Sequence, residues 1–325
     1  MKTCLTFAFL LLGALLTIAC NENDDYEYVP PVLPNDTIEG TIPDIPVTYK
    51  FSLENVKWFA DNSKSNQSAA SYGDYLVLIP QNRPVMHLYN LRTKALLYSL
   101  PMKAGTGGSL YHCNQATFGV DFYEKGDSFP LLYISQRNRA LDKRCFIEVF
   151  RLLPSRNEEY DDYTSMQAQL VQTILLPPMT YDNSLGNANC VIETETKSMY
   201  TYSRNNEKGQ DNTGVCKITR FVIPEIYKDT VMLEDSDIQD SYMLDCSAVN
   251  MQGGCIEKSI LYIGQGYKSA GYIYLNVVDL KRRQLLERID LLERGITWEP
   301  EGCFFYKGNL MIAEGTNIWE FIFAK

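Results

Sequence analysis

Histidine is scarce in this sequence, and the shortage limits the catalytic chemistry available to it. Its 325 residues include two histidines, His87 and His112, and His87 lies within a strand-like pattern. A nucleophilic triad needs a general base, which leaves only His112 for that role. The sequence also lacks the GxSxG, HExxH and P-loop motifs. Common hydrolase and nucleotide-hydrolase sites are therefore not expected.

Long basic segments are missing as well. The densest basic cluster is Lys281-Arg282-Arg283, and the formal net charge is −10. Contacts to phosphate groups require lysine and arginine on one face of the protein. An acidic surface without a basic stripe argues against nucleic acid as a partner.

Helical periodicity is nearly missing, whereas strand-like patterns recur from residue 49 to residue 325. Short runs of alternating or continuous apolar residues are separated by Gly, Asn, Asp and Pro, which is typical of antiparallel strands and tight turns. Tyrosine and phenylalanine, with 22 and 14 copies, favour strands. The pattern predicts an all-β fold.

Five blocks of the sequence repeat one order of elements: a cluster of polar and small residues, a strand, a turn and a second strand. This repeated order resembles the blades of β-propellers. The resemblance covers most of residues 50–325, and the sequence has no WD or kelch signature. It implies a β-propeller of five or six blades; a large β-sandwich or barrel is the alternative. The sixth blade would lie around residues 169–176, and residues 49–59 are available to close the ring. The clusters occupy residues 65–70, 112–117, 187–191, 248–255 and 299–303.

The polar clusters also supply the candidate site. The innermost strand of each propeller blade runs along the central channel, so residues entering it face the axis. Since residues i and i+2 of a strand share a face, paired polar residues would project together. The candidate ligand-binding residues are His112, Asn114, Asn187, Asn189, Gln252, Trp298, Glu299 and Glu301.

Several ligands suit such a ring. Carboxylates and amide oxygens could hold a hard cation such as Ca²⁺, with Glu299 and Glu301 as the candidate metal ligands. The same groups could hydrogen-bond a sugar or nucleotide, or hold ordered water in the channel. Trp298 could stack on a sugar face or pack against a blade. A paired-carboxylate hydrolase is disfavoured because Glu299 and Glu301 would lie on the same side of a substrate.

The N-terminus has the features of an exported lipoprotein. Lys2 precedes an apolar stretch at residues 5–16, too short for a transmembrane helix, and residues 1–19 are interpreted as a cleaved signal peptide. Leu16-Thr17-Ile18-Ala19-Cys20 resembles the lipobox, which implies lipidation of Cys20. The alternatives are an ordinary signal peptide or a weak membrane anchor. Residues 20–48 are acidic and proline-rich, typical of a semi-rigid tether.

The cysteine count limits disulfide bonding. Of nine cysteines, Cys4 falls in the signal and Cys20 is assigned to lipid, which leaves seven. An odd number cannot pair completely, and no CxxC pair predicts a zinc ribbon. Most of the seven lie in apolar strand patterns, so we expect mainly buried free thiols with at most one or two disulfides.

Taken together, the lipobox, the acidic run at residues 21–25 and the channel clusters resemble propeller lipoproteins of the Bacteroidetes. The resemblance implies anchoring in the outer membrane, at the cell surface or facing the periplasm. The function we expect is a ligand-binding or interaction module for a glycan, peptide or protein at the channel mouth. A calcium-dependent hydrolase at the same axis is the alternative.

Overall fold

The structure, a computed structural model, describes most of the chain beyond residue 46. The described residues are 47–52, 66–81, 84–102, 112–136, 141, 144–157, 162–178, 188–204, 215–248, 250–315 and 317–322. They all belong to one compact unit, Ile38–Lys325. The predicted signal peptide and Cys20 lie outside the described residues. Within the part described, no helix has the length and hydrophobicity needed to cross a bilayer.

Strands dominate the described residues, and the helices among them are single 3₁₀ turns. In chain order the strands are β1 (Val47–Ser52), β2 (Asn66–Tyr72), β3 (Tyr75–Pro80), β4 (Val85–Asn90), β5 (Ala95–Pro101), β6 (Cys113–Phe118), β7 (Leu132–Gln136), β8 (Phe146–Asn157), β9 (Asp162–Leu175), β10 (Ala188–Glu193), β11 (Ser198–Arg204), β12 (Val215–Val222), β13 (Thr230–Met232), β14 (Ile238–Ser247), β15 (Met251–Glu257), β16 (Ile260–Tyr267), β17 (Tyr272–Asp279), β18 (Gln284–Asp290), β19 (Pro300–Tyr306), β20 (Asn309–Glu314) and β21 (Asn317–Ile322). The all-β prediction is confirmed.

These strands form five sheets, each the blade of a β-propeller. In order from the axis outward the blades are β2-β3-β4-β5, β6-β7-β8-β9-β13, β10-β11-β12-β14, β15-β16-β17-β18 and β19-β20-β21-β1. The inner strands β2, β6, β10, β15 and β19 contact their neighbours around the ring. The fold is therefore a five-bladed propeller. Of the two predicted blade counts, five and six, five is confirmed.

The second blade accounts for the interval that suggested a sixth. Residues 169–176 do not begin another blade, because β9 pairs along the whole of β8 in a long antiparallel hairpin. The short strand β13 then adds to β9 in parallel. The long hairpin of β8 and β9 therefore contains the residues from which a sixth blade would have been built.

The ring is closed by its N-terminal strand. β1 pairs antiparallel with β21 and completes the last blade, with Val47 opposite Ile322 and Ser52 opposite Asn317. This agrees with the predicted role of the segment, although β1 begins at Val47 and ends at Ser52. Closure by the N-terminal strand ties the first described residues to the last.

The core lies between the blades. Five clusters of buried apolar side chains each join two adjacent sheets. In β3, Val77 and Ile79 pack toward the second blade, whereas Leu76 and Leu78 pack toward the fifth. Because both faces of the strand are buried, its sequence is a continuous apolar run rather than an alternation. Burial of this apolar surface is the main stabilising contribution to the ring.

The seven cysteines in the described residues are free thiols. Six of them are buried, and Cys255 is half-buried. The prediction of mainly buried free thiols is confirmed. Four of the seven lie on inner strands, where a small apolar side chain fits the crowded axis: Cys113, Cys190, Cys255 and Cys303.

Candidate functional site

One polar side chain from each blade lies at the axis. It is the second residue of the inner strand in all five blades, and its exposed fraction is 2% or less. We call this set the axial ring: Gln67, Asn114, Asn189, Gln252 and Glu301. The centre of the fold is therefore polar, with an amide or carboxyl group at each of the five equivalent positions.

Irregular strand pairing sets these side chains apart from the regular ladder. In β2, β6, β15 and β19 the register shifts at the axial residue, which has no partner opposite it on the next strand. Such a β-bulge re-aims a side chain out of the alternating pattern. In β10, by contrast, Asn189 stays in register opposite Tyr202.

Glycines let the inner strands approach one another closely. A Cβ on Gly253 would lie 2.3 Å from the carbonyl oxygen of Glu301, and one on Gly302 would lie 2.5 Å from the Cβ of Ala69. Real Cβ atoms essentially never lie this close to another atom. Gly253 and Gly302 are thus required by the narrow axis of a five-bladed ring.

Hydrogen bonds within the ring fix the orientation of its amides. The backbone carbonyl of Gln252 can only accept, and it accepts from Tyr202 OH at 2.8 Å and from Asn189 Nδ2 at 3.1 Å. Asn189 Oδ1 therefore faces Asn114, whose Nδ2 donates to it at 2.6 Å. Burial raises the pKa of Tyr202 well above its ordinary range, which keeps this phenol protonated as a donor.

On the other side of the ring, Gln67 Nε2 donates to Glu301 Oε1 at 2.7 Å. Asn114 and Gln67 both use their amide nitrogen as the donor in these contacts, so the oxygen of each of these two amides points elsewhere. Three buried amide oxygens of the ring have no hydrogen-bond partner in the described structure: Gln67 Oε1, Asn114 Oδ1 and Gln252 Oε1. The axial ring thus has a surplus of acceptors, which suits a cation or a ligand rich in N–H and O–H groups.

Four of the predicted site residues meet in the axial ring: Asn114, Asn189, Gln252 and Glu301. His112 and Glu299 both precede their strands, so the i and i+2 rule does not carry over to them. The His112 amide donates to Gln136 Oε1, and the Glu299 carbonyl accepts from the Glu301 amide. Asn187 lies outside the described residues.

Gln67 is the ring member that sequence reasoning did not select. It stands within the first polar cluster, and its equivalence to Glu301 is visible once the inner strands are aligned by their second residue. Among the described residues no three His, Cys, Asp or Glu side chains are grouped so that they could hold a metal. Any cation at the axis would be bound chiefly by amide oxygens.

Trp298 lies just before the start of β19, with 48% of its surface exposed. Its backbone N–H and that of Thr297 each donate to Glu314 Oε1 at 2.7 Å. Glu314 Oε2 accepts from Trp319 Nε1. One buried carboxylate therefore holds the segment that carries the exposed indole.

A cavity of about 170 Å³ lies at the other end of the inner strands. Residues from all five blades line it, with Ser71, Thr117, Thr194 and Glu257 as its polar groups and Phe118 and Phe305 among its apolar ones. Thr194 is exposed, whereas Ala69 and Cys303 are buried in the wall. The channel is thus filled by the axial ring near the strand starts and opens as a cavity near the strand ends.

Beside this cavity lies a group of aromatic rings from the first two blades. Tyr72 contacts Phe118, which lines the cavity, at a ring distance of 5.9 Å, and Phe122 at 6.3 Å. Tyr75 meets Phe129 edge-on at 5.1 Å. Tyr72, Tyr75 and Phe122 are 37–41% exposed, and we call these three the aromatic platform.

The loop that carries Phe122 is braced by ion pairs. Arg151 contacts both carboxylate oxygens of Asp127, at 2.7 and 2.9 Å, and Glu124 at 2.8 Å. Its guanidinium also covers the ring of Tyr123 at 4.7 Å. A bidentate arginine fixes geometry as well as charge, so this loop is held in shape before any ligand arrives.

Comparison with known proteins finds only distant structural likenesses. No protein-family model matches the chain, and no curated protein matches it. Among solved structures, the chain is similar to glutaminyl cyclase from Myxococcus xanthus, with 10% identity, a TM-score of 0.45 and coverage of 86% of this chain and 94% of that one. It is also similar to the PQQ-bound aldose sugar dehydrogenase of Streptomyces coelicolor, with 12% identity, a TM-score of 0.47 and coverage of 86% and 99%. Likenesses this distant carry no information on function.

Proposed function

We propose that this protein is a carbohydrate-binding propeller of the cell envelope, which holds one sugar ring of a glycan in the cavity at the ends of the inner strands. The observation that carries the proposal is the position of that cavity, where all five blades meet beside the aromatic platform. Ligand sites in proteins are typically concave, with a few polar groups among apolar walls.

The size and chemistry of the cavity favour a sugar. A cavity of about 150 Å³ accommodates one six-membered ring such as benzene, and this one has a volume of about 170 Å³. Ser71, Thr117 and Thr194 offer hydroxyl groups, and Glu257 offers a carboxylate that accepts from sugar hydroxyls. Ser71 already donates to the Phe305 carbonyl, so the cost of covering the cavity with a purely apolar ligand would fall mainly on the Glu257 carboxylate.

The aromatic platform would support the neighbouring sugar of the glycan. Aromatic faces pack against the C–H face of a pyranose, and Tyr72 and Phe122 are 39% and 41% exposed, so part of each ring is available for such a contact. Because Arg151 already orders the loop, little conformational entropy is lost on binding.

The same proposal places the propeller at the cell envelope, anchored through lipid on Cys20 and separated from the bilayer by the tether of residues 20–48. Two features of the sequence support it: the lipobox, and the acidic, proline-rich composition of the residues that follow Cys20. Labelling of cells with a fatty acid analogue, compared with a Cys20→Ala variant, tests the anchor.

A glycan microarray tests the binding proposal, with an array of peptides probed in parallel. We expect glycan binding that Phe122→Ala weakens at least tenfold, since one aromatic contact contributes more than about 1.4 kcal/mol when it anchors a ligand. Tyr227→Ala is the matched control, because Tyr227 is 70% exposed and lies outside the platform and the cavity lining. Binding of peptides alone, or equal loss in both variants, would contradict the proposal.

The calcium-dependent hydrolase stays a prediction. No observation in the described residues favours it, since the axial carboxylate Glu301 is fully buried. Trp298 as a sugar-stacking residue also stays a prediction, since it belongs to the opposite end of the axis.

A further inference from the structure

We infer that the axial ring is a calcium site, in which the side-chain oxygens of Gln67, Asn114, Gln252 and Glu301 surround one hard cation. This site is separate from the glycan cavity, and the inference does not rest on the proposed function. Its basis is the set of three buried amide oxygens without hydrogen-bond partners, one from each of three blades.

The orientation of two of these three oxygens follows from the network. Asn189 presents Nδ2 to a backbone carbonyl, so Asn114 presents Nδ2 to Asn189, and the oxygen of Asn114 is left over. Gln67 presents Nε2 to a carboxylate, and its own oxygen is left over. Turning either amide around would place an oxygen against an oxygen, so both free oxygens are fixed by the protein.

Leaving such groups unpaired in the interior is costly, so something donates to them. Water can satisfy two acceptors at a time, whereas a cation attracts all of them together and is further stabilised by the Glu301 carboxylate. Carboxylate and amide oxygens are ligands that Ca²⁺ prefers, and water completes its six to eight contacts.

The composition of the ring predicts weak binding. Affinity for Ca²⁺ rises with the number of charged ligands, and this ring has one carboxylate among amides. We therefore expect a Kd of about 10⁻⁴–10⁻³ M, as in extracellular calcium modules. At a Ca²⁺ concentration about ten times the Kd, the melting temperature should rise by about 2 °C.

The test uses the full chain from residue 20 onward, stripped of metal with a chelator and titrated with Ca²⁺ alone in a calorimeter and in melting experiments. Gln252→Met removes one ring oxygen at nearly constant volume, and Glu301→Gln removes the charge while Gln67 keeps an acceptor. Both should abolish the response to Ca²⁺. Gln172→Met is the matched control, because Gln172 is also buried with an unpartnered Oε1 but lies in β9, the fourth strand of its blade counted from the axis.

A stoichiometric response that is lost in both ring variants and kept in Gln172→Met supports the site. Ca²⁺ binding that persists in Glu301→Gln or Gln252→Met would place the cation elsewhere and overturn it. No Ca²⁺ binding by the wild-type chain, with an unchanged melting temperature, would mean that the ring holds water only. The wild-type measurement decides this last outcome even if a ring variant fails to fold.

Discussion

Replacement of Gly302 by alanine tests how tightly the five blades close around the axis. The added Cβ would lie 2.5 Å from the Cβ of Ala69 and 2.7 Å from its backbone nitrogen. Because one colliding atom belongs to the backbone of β2 and the other is attached directly to it, the strain cannot be relieved by rotating a flexible side chain. The inner strands of the first and fifth blades would have to move apart.

The sign of the change in unfolding free energy distinguishes a packing effect from a backbone effect. Gly302 lies in the extended strand β19, so alanine alone would stabilise the fold by about 0.4–1 kcal/mol through the unfolded state. Overpacking costs about 1–3 kcal/mol, and contact with rigid backbone puts this case near the upper end. The net expectation is a loss of about 2 kcal/mol and a melting temperature lower by about 3 °C.

Urea unfolding measured by circular dichroism gives the change directly. Gly302→Ala should lower the midpoint without changing the slope. In the double variant with Ala69→Gly the Cβ–Cβ collision is removed, so part of the loss should be recovered. Equal or greater stability of Gly302→Ala would refute the idea that contact between inner strands fixes the ring.

Two further predictions concern the buried thiols and the closing strand. Burial raises the pKa of Cys145 to about 11, so its stabilising effect is complete below about pH 9 and is lost as the pH rises through 11. Between pH 8 and 11 the wild type should therefore lose about 2 kcal/mol more stability than Cys145→Ala, as judged from urea midpoints; an equal loss would contradict this. A chain that begins at residue 53 lacks β1 and exposes β21 as an edge, so it should self-associate in size-exclusion chromatography, whereas a monomer with unchanged melting would show that closure is dispensable.

The propeller fold could be predicted because each blade repeats a short, local pattern. The polar cluster before the first strong strand marks an inner strand, and the apolar runs mark sheets buried on both faces. The blade count stayed open between five and six because a long hairpin and a new blade have the same alternation. Only the pairing of β8 with β9 over its full length decides between them.

The axial ring could be predicted in part. Asn114, Asn189, Gln252 and Glu301 stand at repeated positions in polar clusters, whereas Gln67 is surrounded by other polar residues that obscure its register. The bulges at the other four ring positions, all except Asn189, leave no signature in the sequence, because they depend on which residue of the neighbouring strand lies opposite.

The cavity and the aromatic platform could not be predicted. Tyr72 and Phe122 come from different blades, and neither is preceded by a motif. Their exposure depends on the turn between β2 and β3 meeting the loop after β6, which is a property of the assembled ring. Composition alone does not show which aromatic residues are buried in the core and which are exposed at the surface.

Plugging the cavity tests most directly the claim that it binds a glycan. Thr194 is exposed and lines the cavity, so Thr194→Trp should fill the opening without disturbing the core. Glu195, its exposed neighbour outside the lining, provides the control Glu195→Trp. Calorimetry with a glycan selected on the array should show binding lost in Thr194→Trp and kept in Glu195→Trp, with equal melting temperatures. Full binding by Thr194→Trp would contradict the assignment of the cavity as the ligand site.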